Sequence, residues 1–124
     1  MTISLRLHEE LDLTPRVHAA GTVTVEIGYE PSWVLGPDGT RHRLAEAYGR
    51  IVGAFLDMHR RAPGKVLTLE DLLAVGWPGE RPIPPSGANR VHVALAHLRR
   101  MGLREVIERV EGGYRFTPAA AVER

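Results

Sequence analysis

Residues 87–100, GANRVHVALAHLRR, combine side chains able to contact nucleobase edges with a period that lines them up. At about 100° per residue, Val91, Ala94, Leu95 and Leu98 form an apolar stripe, and Asn89, Val93, Ala96 and Arg100 form the opposite line. His92 and His97 flank that line, and Arg90 and Arg99 stand at its borders. An asparagine in such a place can make a bidentate contact to adenine, Arg90 or Arg100 can reach guanine or phosphate, and Val93 or Ala96 can touch a thymine methyl. The same residues also have plainer roles. Arg99 and Arg100 near a helix C-terminus stabilise its dipole by about 0.3–1 kcal/mol with no partner at all. Small apolar residues on a helix face poor in charge also suit a protein contact.

Other chemistry is thinly represented. The chain of 124 residues has no cysteine, which removes disulfides, thiolate nucleophiles and zinc-thiolate sites. His92 and His97 are five apart and fall on different sides of a helix, so a shared metal ion is not expected. No nucleophile-base-acid set, glycine-rich phosphate loop or metal-ligand spacing occurs, and the runs GPDG and EGG read as turns. No catalytic residue, metal or cofactor is therefore expected, and the chain is not read as an enzyme.

The charge is local. A net charge of +1 and a pI of 8.3 fall short of the pI above about 9 that a nucleic-acid-binding domain often shows. Ser86–Met101 contains three arginines and no acid, whereas Arg104–Arg115 contains three arginines and three glutamates. Lys65, with Arg60 and Arg61 before it, is a further candidate for holding phosphate. Trp77 is a candidate binding aromatic, although packing against the core is its more ordinary role. No window reaches membrane-span length and the N-terminus lacks a signal-peptide core, so a cytoplasmic location with no membrane partner is expected.

The elements that must position these residues follow from period and punctuation. Ile3, Leu5 and Leu7 alternate as in a half-buried strand, and TPRVHAAG reads as a connector. TVTVEIGY is a strand with Val23, Val25 and Ile27 on one face. Two short runs flank Gly36-Pro37-Asp38-Gly39, which predicts a hairpin. From Leu44 the period becomes helical through Tyr48, Ile51 and Phe55, ending before Pro63, with His59, Arg60 and Arg61 suited to the helix dipole.

Thr68 and Asp71 predict a capping box for a short second helix that stops near Gly76. The prolines of residues 78–85 exclude helix and central strand. Ser86 is placed to cap a third helix running to Met101. The runs REVIERV and GYRFT flank Glu111-Gly112 as a hairpin. The organisation expected is residues 1–21 as N-terminal strand and connector, 22–117 as one domain, and 118–124 as a loose tail.

Sheet, three helices and hairpin is the order of an α+β winged helix-turn-helix, and particular segments here resemble the OmpR/PhoB-type effector domain. APGKVLTLEDLLAVGWPGE looks like that family's Pro-Gly turn, short strand, capped helix and tryptophan. NRVHVALAHLRR is similar to its recognition helix, and IERVEGGYRF resembles its wing, ending in Gly113, Tyr114, Arg115 and Phe116. An N-terminal antiparallel sheet before the first helix also marks the family. Two departures stand out: Glu111 lies at the wing tip where the family commonly presents arginine, and the expected organisation is without that family's receiver domain.

The resemblance implies a bacterial transcription regulator that binds double-stranded DNA, with helix 86–101 in the major groove and wing 105–117 near the backbone. Asn89, Arg90, His92, Val93, Ala96, His97, Arg100, Arg109 and Lys65 are then the expected DNA-contacting residues. Loop 77–85, with Trp77, Glu80, Arg81 and Ile83, is the expected contact for RNA polymerase or a regulatory protein. The alternative is a winged helix used for protein contact, in which the 86–101 face or that loop docks a regulator, a polymerase subunit or a second copy as a homodimer.

Overall fold

The computed structural model describes residues 16–18, 24–27, 33–80, 86–118 and 120–123. The expected strand around Ile3, Leu5 and Leu7 lies outside these residues. Among the described residues, four strands come first: β1 (Arg16–His18), β2 (Thr24–Ile27), β3 (Trp33–Leu35) and β4 (Arg41–Arg43). They are joined in an antiparallel sheet of order β4-β3-β2-β1, extended beyond β1 by the last strand, β8 (Ala121–Glu123).

Two expectations are corrected by that sheet. Arg16–His18, read as part of a connector, and Ala121–Glu123, read as part of a loose tail, are both strands, with Val17 opposite Val122 in an antiparallel pair. Each run is too short to declare itself, because strand preference depends on the cross-strand neighbour more than on the residues themselves. The single sheet therefore crosses both boundaries drawn at residues 21 and 118.

The β3–β4 hairpin turns where expected. Gly39 N–H donates to the Gly36 carbonyl at 3.0 Å, Gly39 takes φ 87°, and the Thr40 N–H donates to Asp38 Oδ1 at 2.9 Å. Glycine accepts the positive φ without a Cβ clash.

Helix α1 spans Glu46–Arg61. It stops because Ala62, ahead of Pro63, is forced out of helical geometry to φ −148°, ψ 84°. Buried Ile51, Val52, Phe55 and Leu56 form its core face. His59 does not serve the helix dipole as a solvated base. It is buried, with Nε2 donating to the Ala120 carbonyl at 2.6 Å and Nδ1 accepting from Gly64 N–H at 3.3 Å. This is the pattern of a neutral imidazole protonated on Nε2.

After the short strand β5 (Leu67–Thr68), helix α2 (Leu69–Gly76) opens with the expected capping box: Asp71 N–H donates to Thr68 Oγ1, and Thr68 N–H donates to Asp71 Oδ2, both at 3.0 Å. Its C-terminus carries no basic residue of its own. Arg50 of α1 supplies one, donating from Nη2 to the Gly76 carbonyl at 2.6 Å and from Nε to the Val75 carbonyl at 3.1 Å. These carbonyls have no partner within the helix, so a cation from α1 satisfies them and ties the two helices together.

Helix α3 begins at Ser86 itself and runs to Leu98. The expected continuation to Met101 changes winding: Arg99–Leu103 is a π-helical turn broken at Gly102, φ 120°. The chain then forms β6 (Ile107–Val110) and β7 (Gly113–Phe116), a hairpin whose turn is Glu111-Gly112 as expected, with β5 on the other side of β7. The core lies between the helices and this hairpin, where Phe55 stacks on Phe116 at 5.4 Å beside Leu72, Leu95, Leu98 and Ile107.

Candidate functional site

The side chains that hold α3 down are those that its period assigns to the core. Val91, Ala94, Leu95 and Leu98 are all at most 1% exposed. Their burial fixes the rotation of the helix and turns the opposite face outward. On that face Asn89 is exposed, Val93 is 54% exposed and Ala96 is half-buried. Arg100 is exposed too, but it lies in the π-helical turn, so the line drawn at about 100° per residue ends at Leu98.

The two histidines are each met by a tyrosine from another element. His92 is half-buried, and its Nδ1 shares a 2.7 Å hydrogen bond with the hydroxyl of Tyr114 in β7. His97 is exposed, and its Nδ1 shares a 2.9 Å hydrogen bond with the hydroxyl of Tyr48 in α1. The tilted His92–Tyr114 ring pair and the edge-on Tyr48–His97 pair accompany these bonds. Each imidazole is thus occupied on one nitrogen and retains Nε2 for other contacts.

Arg90 is tied back toward the helix-turn-helix loop. Its Nη1 donates to Glu80 Oε1 at 2.6 Å, and its guanidinium carbon sits 5.2 Å from the centre of the Trp77 ring. Trp77 is half-buried and packs against the core, in keeping with its more ordinary role. Glu80 is exposed apart from this contact, while Arg81 and Ile83 lie outside the described residues.

The hairpin arranges its charges similarly. Glu108 and Arg115 stand opposite one another in the β6–β7 register, and Arg115 Nε donates to Glu108 Oε2 at 2.6 Å. Arg115 Nη1 also donates to the Gly64 carbonyl at 3.3 Å. Arg109 is exposed on β6, Lys65 is exposed in the turn after α1, and Glu111 is exposed at the tip. Among the described residues, Arg100, Arg109 and Lys65 enter no ion pair, whereas Arg90 and Arg115 do.

Sequence reasoning places the surface of α3 but misses Tyr48, Arg50 and the partners of Arg90, His92 and His97. Tyr114 is visible as part of a wing-like run, yet nothing local to that run points to His92. Among the described residues no group of histidine and carboxylate side chains is placed to hold a metal ion, and no helix is long and apolar enough to cross a membrane.

No family model and no curated protein matches the chain. Among solved structures it is similar to a RitR mutant at TM-score 0.54 and 24% identity, over 75% of this chain and 40% of that one. It is also similar to the DNA-binding domain of E. coli CadC at TM-score 0.56 and 17% identity, over 86% of this chain and 95% of that one. The chain therefore spans well under half the length of the RitR chain. With its N-terminal antiparallel sheet, three helices and C-terminal wing hairpin, it has a winged helix-turn-helix fold.

Proposed function

We propose that this winged-helix chain is a DNA-binding transcription regulator that places α3 in the major groove and the β6–β7 wing near the backbone. One observation carries the reading. Helix α3 is anchored by a fully buried stripe while Asn89, Val93 and Arg100 face outward on a segment that has no acidic residue. The likeness to a solved domain described as DNA-binding supports it.

In this reading Asn89 and Arg100 contact base edges or phosphate, Val93 and Ala96 meet thymine methyls, and His92 and His97 contribute through Nε2. Arg109 and Lys65 neutralise phosphates. The wing adds little more, because Arg115 is paired with Glu108 and the tip carries Glu111. Binding is consequently weak and strongly salt-dependent, each neutralised phosphate contributing about −0.9 to the slope of log K against log salt.

Fluorescence anisotropy with labelled genomic fragments across a salt series tests this. Binding at low salt that weakens in Arg100→Ala is the expected result. Absence of binding at low salt overturns it and leaves the protein-contact role for the α3 face, to be sought by light scattering and pull-down.

A further inference from the structure

Helix α3 and its terminal turn carry Arg90, Arg99 and Arg100 and no acid, yet one of these cations has an anion delivered to it from outside the helix. After α2 the chain turns back on itself, Glu80 N–H donating to the Trp77 carbonyl at 3.2 Å. That turn brings the Glu80 carboxylate to 2.6 Å from Arg90 Nη1, and the Trp77 ring lies against the same guanidinium at 5.2 Å. The two side chains of one turn therefore occupy Arg90 together.

We infer that Glu80 limits the affinity of this protein for DNA by holding the Arg90 guanidinium in the place of a backbone phosphate. This inference rests on the DNA-binding reading of α3. Carboxylate and phosphate oxygens make the same charge-assisted bond to a guanidinium, so they compete for it. The pair is reachable from solvent, with the Arg90 side chain 37% exposed and that of Glu80 54% exposed. A phosphate arriving at Arg90 must displace one anion and leave it nearby, tethered through the Glu80–Trp77 backbone bond. The exchange adds less net attraction than an unpaired arginine would, and the displaced carboxylate repels the DNA. Trp77 keeps a cation–π hold on the guanidinium when Glu80 is neutral, so Arg90 remains directed after the charge is removed.

The test is anisotropy of a fluorescein-labelled mixed-sequence duplex with the wild type, Glu80→Gln, Arg90→Ala and the double variant across a salt series. Glu80→Ala serves as a second variant that keeps no hydrogen bond to Arg90. Glu80→Gln and Glu80→Ala are expected to tighten binding by about two- to fivefold at low salt and to steepen the salt slope by about 0.9. In the Arg90→Ala background the gain is expected to shrink to the smaller effect of removing one negative charge near the DNA. Unchanged or weaker binding in both Glu80 variants overturns the inference while wild-type binding upholds the reading of α3, and a gain of undiminished size without Arg90 overturns it equally. If no variant binds at low salt, the DNA-binding reading itself has failed and the inference falls with it.

Discussion

The hydroxyl of Tyr114, in the wing, and Nδ1 of His92, in α3, lie 2.7 Å apart and share a hydrogen bond. The bond joins the two elements that the proposed function sets against DNA. Tyr114 is 4% exposed, so its hydroxyl has little access to water and needs this protein partner.

Replacing Tyr114 by phenylalanine keeps the ring packing and removes the bond. The variant should unfold with about 0.5–1.5 kcal/mol less stability in a urea titration, as for a typical net hydrogen bond. A Tyr114→Phe protein as stable as wild type would show that the bond contributes nothing net.

The end of α3 depends on two glycines in contact. A Cβ added at Gly102, whose φ is 120°, would lie 2.7 Å from the Gly36 Cα, so the β3–β4 hairpin and the π-helical turn meet backbone to backbone. Gly102→Ala adds a steric clash to backbone strain and should cost about 2–4 kcal/mol. Gly39→Ala is the control: its φ of 87° is also unfavourable, but no atom lies within 4 Å of the new methyl, so only about 1 kcal/mol of strain is expected. Equal losses at the two sites in thermal or chemical unfolding would refute the close-approach explanation.

The Thr40 N–H beside Asp38 holds its carboxyl below the ordinary value of 3.8. A depressed folded value means that the charged carboxylate stabilises the hairpin turn fully above the unfolded value. That stabilisation is lost as pH falls below 3.8 and through the folded value. An NMR titration of the Asp38 carboxyl carbon should show a midpoint below 3.8, and Asp38→Asn should remove this contribution to acid sensitivity. A midpoint at or above the ordinary value would contradict the assigned hydrogen bond.

The arginines should divide by their partners when DNA binding is measured. Arg100 enters no ion pair among the described residues, so Arg100→Ala should reduce the magnitude of the salt slope by about 0.9. Arg115 is engaged by Glu108 and the Gly64 carbonyl, so Arg115→Ala should leave the slope nearly unchanged. The reverse ranking would remove the paired-versus-unpaired distinction on which the interface is assigned.

Much of this architecture is legible in the chain because its causes are local. The Thr68/Asp71 capping box spans three residues, Pro63 acts on Ala62, the Gly36–Gly39 turn closes on itself, and the Val91–Leu98 period reports which face of α3 is buried. The short strands at Arg16–His18 and Ala121–Glu123 escaped such reading because each is defined by its cross-strand neighbours, which for Ala121–Glu123 lie at the other end of the chain.

The sequence alone determined the order of helices and hairpins, the buried stripe of α3 and the absence of acid along it, since caps, turns and hydrophobic period act within a turn or two of chain. Tertiary structure alone decided which charges and rings on that face have partners. Arg90 meets Glu80 across 10 residues, Tyr114 meets His92 across 22, Arg50 meets Val75 across 25 and Tyr48 meets His97 across 49. A hydrogen bond or ion pair requires a few ångströms of spatial proximity, and only the packing of α1, α2, α3 and the wing around one core brings such distant residues together.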